Sequence, residues 1–555
     1  MPRVQRGVVV PAPLGQVRDN VVVTPLQVGA PTPAAPASAA AAPYGPAVAA
    51  RFAEPSTQYS TPGLAPERRG FTTNSELGQW LHNIANAAPR GPTQASVLQL
   101  GASQQGEPIL GLLLTRAKGM DMASLEANGR STVVLIGQQH GDEPAGSEAL
   151  LVVARELAQG LLEPLLDRIN VVVIPRANPD GATNGNRTTA NGVDMNRDHL
   201  LLNTPEARAL ARVVRDYRPI LVLDAHEFTV AGRYLQKFNA IQRYDALLQY
   251  TTTANYHEFL TKASQEWYHQ PMLGALQSQG MSSEWYYTTS TQPDDKRISM
   301  GGVQPDTGRN VNGLKNAVSL LVETRGVGLG RLHIQRRVHT QVTTITSALR
   351  STAERAADLE QVRSYVARDT ASKACKGQVV IEAQATPMQR ELTMLDPDTG
   401  ADRTLKVDWN SSLALRPVKS RPRPCGYWLA AHATAAVERL QMLGVQVLRI
   451  AEPGALLADT YYETARETTE RTDVRGTIAG GSSIIRTQVT PVRSAIDVPA
   501  GSFYVPLNQG LAHLAVAALE PDTQSSYFAN RLIDELGSTA RVMTVPSLVF
   551  EESDE

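Results

Sequence analysis

Residues Thr132 to Ala149 read TVVLIGQQHGDEPAGSEA. The β-branched and aliphatic run Val133 to Ile136 stops at Gly137, and Pro144, Ala145 and Gly146 open an apolar-periodic segment that continues through Leu157. A short apolar run ended by glycine predicts a buried strand, and the helical periodicity behind Pro144 predicts a helix that the proline begins. Between them His140 and Glu143 stand on a tight turn. Imidazole nitrogen and carboxylate oxygen are both zinc donors, so the pair is a candidate half-site. Alone it reads first as two exposed turn residues, and a third ligand is needed to make it more.

The same alternation extends to both sides. Thr72 to Leu77 looks like a helix cap ahead of LGQWLHNIANAA, and strands are expected over Ser96–Gly101 and Ile109–Thr115. Further strands are expected over Asn170–Pro175 and Ile220–Ala225, with Leu201–Tyr217 helical between them, and Asn316–Val322 runs apolar into Glu323. Continuous apolar strands alternating with helices predict an α/β fold with a mixed, mostly parallel central sheet covered by helices on both faces. Ligands then gather beyond the carboxyl ends of the strands.

Composition sets outer bounds. At 555 residues the chain holds more than one ordinary domain. A formal net charge of -1 and an aromatic content of 5% argue against a nucleic-acid partner. No apolar run reaches the ~20 residues of a membrane helix. The first residues carry no signal-peptide core, so localisation stays unknown: periplasmic or secreted if an export signal has been removed, otherwise cytoplasmic. Cys375 and Cys425 are either one disulfide or two buried thiols. Residues 1–68 are rich in Pro and Ala and predict an extended arm, residues 69–340 the α/β domain, and residues 341–555 an accessory region of mixed α and β. In that last region Thr340–Arg368 reads as a polar helix, and Gln378–Val418 alternates around the turn DPDTG.

The expected strands carry chemistry at one edge: His140 and Glu143 after the first, Arg176-Ala-Asn178-Pro-Asp180-Gly181 after the second, His226 in DAHE after the third, and Glu323 in ETRG after the fourth. With GVDMNRD (192–198), these motifs stand in an order that resembles the zinc metallocarboxypeptidases of the carboxypeptidase A/B type, over roughly Phe71 to Arg337, as a bacterial-type member. The resemblance implies one zinc ion held by His140, Glu143 and His226, with a position open for water. It implies Glu323 as general base, Asn196 and Arg197 as the binders of the substrate's terminal carboxylate, and Asp194 as the acceptor behind the first zinc histidine. Arg187 is the candidate cation for the developing oxyanion, although its spacing to Asn196 is shorter than in the animal digestive enzymes.

Two departures stand out. No tyrosine lies between Tyr287 and Glu323, so a tyrosine that closes over the substrate must be Tyr286 or Tyr287; Tyr287 is the candidate. PDTGRN occupies the region that shapes the side-chain pocket, where Arg309 suits an acidic side chain or a second carboxylate. The expected function is hydrolysis of the C-terminal amide bond of a peptide or peptide-like substrate with a free carboxylate. The alternatives are a zinc-dependent N-acyl amino acid deacylase of the succinylglutamate desuccinylase/aspartoacylase type, and a binding protein on the same fold.

Overall fold

A computed structural model describes residues 42–87 and 92–551. The expectations for residues 1–41 lie outside the described residues. From Ala42 onward the arm is packed rather than extended free. Tyr44, Val48 and Phe52 are buried, and the Arg325 guanidinium lies 3.5 Å from the centre of the Phe52 ring. Farther along, the fully buried Glu148 accepts hydrogen bonds from the Thr61 hydroxyl and from the Thr72 amide and hydroxyl. Proline-rich composition hid these anchors, since each contributes only one or two apolar or hydroxyl groups.

Eight strands form the central sheet: β1 (Gln94–Ala102), β2 (Pro108–Thr115), β3 (Ser131–Gly137), β4 (Ile169–Ile174), β5 (Leu221–Thr229), β6 (Ala246–Tyr250), β7 (Ser283–Trp285) and β8 (Val318–Val327). Their spatial order is β1-β2-β4-β3-β5-β8-β6-β7. The centre, β4-β3-β5-β8, is parallel throughout, and antiparallel pairs flank it. Alternate residues of β3 point to opposite faces. Val133 and Leu135 meet helices α1 (Asn74–Ala87) and α2 (Pro144–Gln159), whereas Val134 and Ile136 meet Leu210, Val213 and Val214 of α3 (Pro205–Tyr217). The helix-covered sheet is the expected one. Thr204 caps α3 through its hydroxyl and Pro205 occupies the first turn, so the helix starts later than Leu201.

The helix expected from Thr340 begins earlier, as α4 (Ile334–Ser372). Its first half joins the same core as β3 through Ile345, Ala348 and Leu349. Thr340, Thr344 and Thr352 are also buried there, because each hydroxyl bonds back to the carbonyl four residues earlier. That device lets a segment of polar composition enter an apolar core. Beyond it, β9 (Gln378–Leu395) and β10 (Asp402–Pro422) form a long hairpin around DPDTG, which pairs alongside Ile298–Met300. A further sheet contains the antiparallel pair β11 (Gly454–Thr469) and β14 (Ile484–Val498). Between these two strands lies a minimal hairpin, β12 (Thr472–Asp473) with β13 (Gly476–Thr477). Cys375 and Cys425 form a disulfide.

Two histidines are packing residues. His269 stacks on Trp285 with ring centroids 3.8 Å apart, and His333 lies between Tyr44 and Phe52. Burial pushes both down from 6.5 to about 4, with nearby arginines adding to the effect at His333. Because the folded chain keeps them neutral, the unfolded chain takes up protons first as pH falls below 6.5. The histidines' contribution to stability is therefore complete above that pH and is lost between 6.5 and about 4, by roughly 3 kcal/mol for His269 and by less for His333, which solvent partly screens. His269→Phe should flatten the fall of Tm across this window; an unchanged slope would show that His269 does not contribute.

Candidate active site

The turn after β3 is pinned from several directions. Gln138 adopts a left-handed backbone, φ 48°, and its side chain donates to the Gly141 carbonyl while accepting from Arg176. Gly141 must lack a side chain, since a Cβ there would lie 1.9 Å from the Gly181 carbonyl carbon of ANPDG. His140 is thereby held inward, and Glu143 sits at the cap of α2 with its Oε2 accepting from the Glu227 amide at 3.0 Å.

His226 and Glu323 lie within β5 and β8, not at strand ends as the apolar runs implied. They are direct neighbours in register across the parallel pair. One donor atom from each of His140, Glu143 and His226 lies within 4.8 Å of the others, and all three residues are buried. The two Nδ1 atoms are 3.1 Å apart, with Glu143 carboxylate oxygens at 2.7 Å from that of His140 and 2.8 Å from that of His226. Each Nε2 faces an aspartate, Asp194 at 3.0 Å and Asp224 at 2.8 Å. Protons on Nε2 leave two imidazole lone pairs and a carboxylate converging on one point, which is a cation site with its orienting partners in place. The donor set suits zinc. Burial alone would raise the carboxyl of Glu143, but the two imidazoles outweigh it and hold it low. Asp194 is likewise kept ionised against burial by Arg187 and His140.

Glu323 behaves oppositely. Burial and then the repulsion of Glu143 raise it to about 7, against the pull of His226 and His140. It faces a small cavity shared with Glu143, Arg187, Tyr286 and Arg475. Arg187 donates to Asp194 Oδ2 from Nε and Nη2, and its Nη1 stands 3.2 Å from Glu143 Oε1.

The remaining expected residues are placed as follows. Asn196 is buried, with its amide nitrogen on Asp194 and its side-chain oxygen on the Gly308 amide. Arg197, expected to bind the terminal carboxylate, is largely shielded from water beside Asp473. Its guanidinium is already engaged, through Nε and Nη2 with Asp473 Oδ2 at 2.9 and 2.5 Å and through Nη1 with the Asn196 carbonyl. Arg309 is buried, bonded to the Gly302 carbonyl and lowered to about 10 by burial, and it has no carboxylate partner among the described residues. Tyr287 lines the same cavity as Tyr286. It is 1% exposed, wedged between Tyr234 and Trp409, because its strand joins the sheet built by β9 and β10. Its neighbour Tyr286 is the tyrosine in the field of the base: burial and then Glu323 push its phenol up to about 12. Asp473 and Arg475 went unread because they reach the site from the region beyond residue 340, and no local pattern marks them.

Residues 78–298 match the family model of the zinc carboxypeptidases, a range that includes all three ligands and stops short of Glu323. Carboxypeptidase 2 of Trichophyton rubrum is 27% identical over 399 residues, covering 71% of this chain and 72% of that protein. Carboxypeptidase 2 of Trichophyton equinum is 26% identical over 493 residues, covering 85% and 87%. Among solved structures, carboxypeptidase A of Helicoverpa armigera matches at 15% identity and a TM-score of 0.38, over 53% of this chain and 76% of that one. A family match running through every ligand, on a site whose donors already converge, makes residues 78–298 similar to the zinc carboxypeptidases in sequence and in metal-binding residues.

Proposed function

We propose that the enzyme removes the C-terminal residue from peptides that carry a free carboxylate, with Glu323 as general base. The observation that carries this reading is the register of β5 and β8, which sets Glu323 beside His226 and open to the cavity. Zinc, when held by His140, Glu143 and His226, supplies Lewis acidity toward the scissile carbonyl. Glu323 takes a proton from the attacking water as the new C–O bond forms, and gives it to the amine nitrogen as the C–N bond breaks. A carboxyl raised toward neutrality suits both halves of that transfer. Arg187, held by Asp194 beside the ligands, is positioned to stabilise negative charge developing on the carbonyl oxygen. Tyr286 is the residue that closes over the substrate.

Residues 69–340 form the catalytic domain in this reading and residues 341–555 its accessory region. The short Arg187–Asn196 spacing supports a bacterial-type member, while the two relatives named above are fungal. The Cys375–Cys425 disulfide supports an oxidising compartment, hence a periplasmic or secreted enzyme. Among the described residues, no helix is long and apolar enough to cross a membrane.

A substrate panel tests the reading. Blocked dipeptides with a free carboxylate should be cleaved, and the same peptides as C-terminal amides should not. Preferential hydrolysis of N-acyl amino acids would move the chain to the deacylase class.

A further inference from the structure

Behind the two zinc histidines stand two unlike supports. Asp194, behind His140, also receives the Arg187 guanidinium and the Asn196 amide, so it is held whatever the imidazole does. Among the described residues Asp224, behind His226, has no such cation or backbone amide. Its Oδ1 is buried without a hydrogen-bond partner. Both of its contacts fall on Oδ2: His226 Nε2 at 2.8 Å and the Gln139 side-chain nitrogen at 2.5 Å. Apart from the ring it serves, this carboxylate is kept in place by Gln139.

The strands explain the meeting. Asp224 and His226 are two apart in β5 and so share a face. Asp224 pairs in register with Ile136 of β3, and Gln139 lies just past the end of that strand. The Gln139 carbonyl accepts from the Asn178 side chain, which fixes the backbone there. Its side chain is fully buried, and a primary amide donates at one end and accepts at the other. Because the nitrogen serves Asp224, the oxygen is left for His199 Nε2, which lies 2.7 Å away. Burial pushes His199 down to about 4, so its ring is neutral at ordinary pH, and Gln139 Oε1 requires its single proton on Nε2. That ring has a fixed seat. The His199 backbone amide donates to the Asp306 carbonyl at 3.1 Å, and a Cβ on Gly308 would stand 3.0 Å from Nε2. Every proton in the row is thereby assigned: His199 gives to Gln139, Gln139 gives to Asp224, and His226 gives to Asp224 from Nε2. The Nδ1 lone pair of His226 is left for the metal.

We infer that Gln139 and His199 are positioning residues of the zinc site: through Asp224 they hold the His226 ring in the orientation and tautomer that bind the ion. Without the amide, the buried carboxylate would keep one partner and could rotate, and the ring would lose its aim. The inference rests on the metal site and not on the choice of substrate, so it can fail while the peptidase reading stands, and the reverse.

Zinc dissociation constants of the full-length protein, measured by competition with a chelating dye, test it without turnover. Gln139→Leu should weaken zinc by about 10- to 100-fold. His199→Phe, which removes only the far end of the row, should weaken it by about 3- to 10-fold, and His199→Gln, which can still donate, should recover part of that loss. Gln139→Leu added to Asp224→Asn should leave the constant within about twofold of Asp224→Asn alone, because both act through one carboxylate. A merely structural role would lower the Tm of the metal-free protein and leave the zinc constant unchanged, and that result would overturn the inference. So would losses that multiply in the double variant. Should Gln139→Leu fail to fold, the two His199 variants carry the test, and wild-type zinc affinity in a folded His199→Phe protein would overturn it equally.

Discussion

Replacing Glu323 by glutamine should lower kcat by about 10²- to 10⁴-fold while zinc content stays unchanged. Glutamine matches glutamate in shape, and the backbone of β8 would keep it beside His226. The substitution removes only the ability to take and return a proton, so KM should move far less than kcat. The contrast between lost turnover and retained metal is what separates a base from a ligand. A variant that kept more than a tenth of wild-type kcat would refute the role. A variant that lost zinc would show that Glu323 belongs to the metal site.

The second large effect is expected from His140→Ala combined with His226→Ala. Those two side chains bring both Nδ1 donors to the site, and Glu143 alone cannot retain zinc at ordinary concentrations. Metal analysis after dialysis should find no zinc in the protein, and peptidase activity should fall to background. Changing the orienting aspartates should act more gently: Asp194→Asn or Asp224→Asn leaves all three ligands and should weaken zinc by about 10- to 100-fold. A double-alanine enzyme that still carried stoichiometric zinc would disprove the site. The removal has a structural side as well. Glu143, Asp194 and Asp224 are all buried and would then lack their imidazole partners, so the variant should also unfold at lower temperature.

The parts legible in the sequence were those written in local periodicity. The run from Val133 to Ile136 and the proline at 144 predicted β3 and α2 closely, and the order of the polar motifs brought His140, Glu143, His226 and Glu323 to one edge. Their pairing was less legible. Hydropathy stops at Ala225 and Val322 because the next residues are polar, yet β5 and β8 run on to Thr229 and Val327, with zinc and base chemistry inside the ladder. Tyr286 and Tyr287 show a limit of another kind. Adjacent residues of an extended segment face opposite ways, and Tyr287 packs on Trp409, more than a hundred residues later. Asp473 and Arg475 lie farther still from the strands they complete. A contact at such separation leaves no pattern in either segment alone.

The threonine-lined first half of α4 has a practical consequence for anyone preparing a shorter enzyme. Gln341 donates to the His226 carbonyl at 2.9 Å, and Arg337 forms a buried pair with Glu227, next to that ligand in β5. A recombinant chain ended at Thr340 would keep every catalytic side chain of β3, β5 and β8. It would nonetheless lay bare the sheet face now covered by Ile345, Ala348 and Leu349, and the zinc strand would lose the Gln341 hydrogen bond while keeping the Arg337–Glu227 pair. Such a fragment should gather in inclusion bodies, so the minimal expressible enzyme must be trimmed from beyond α4, not at the end of the family motifs.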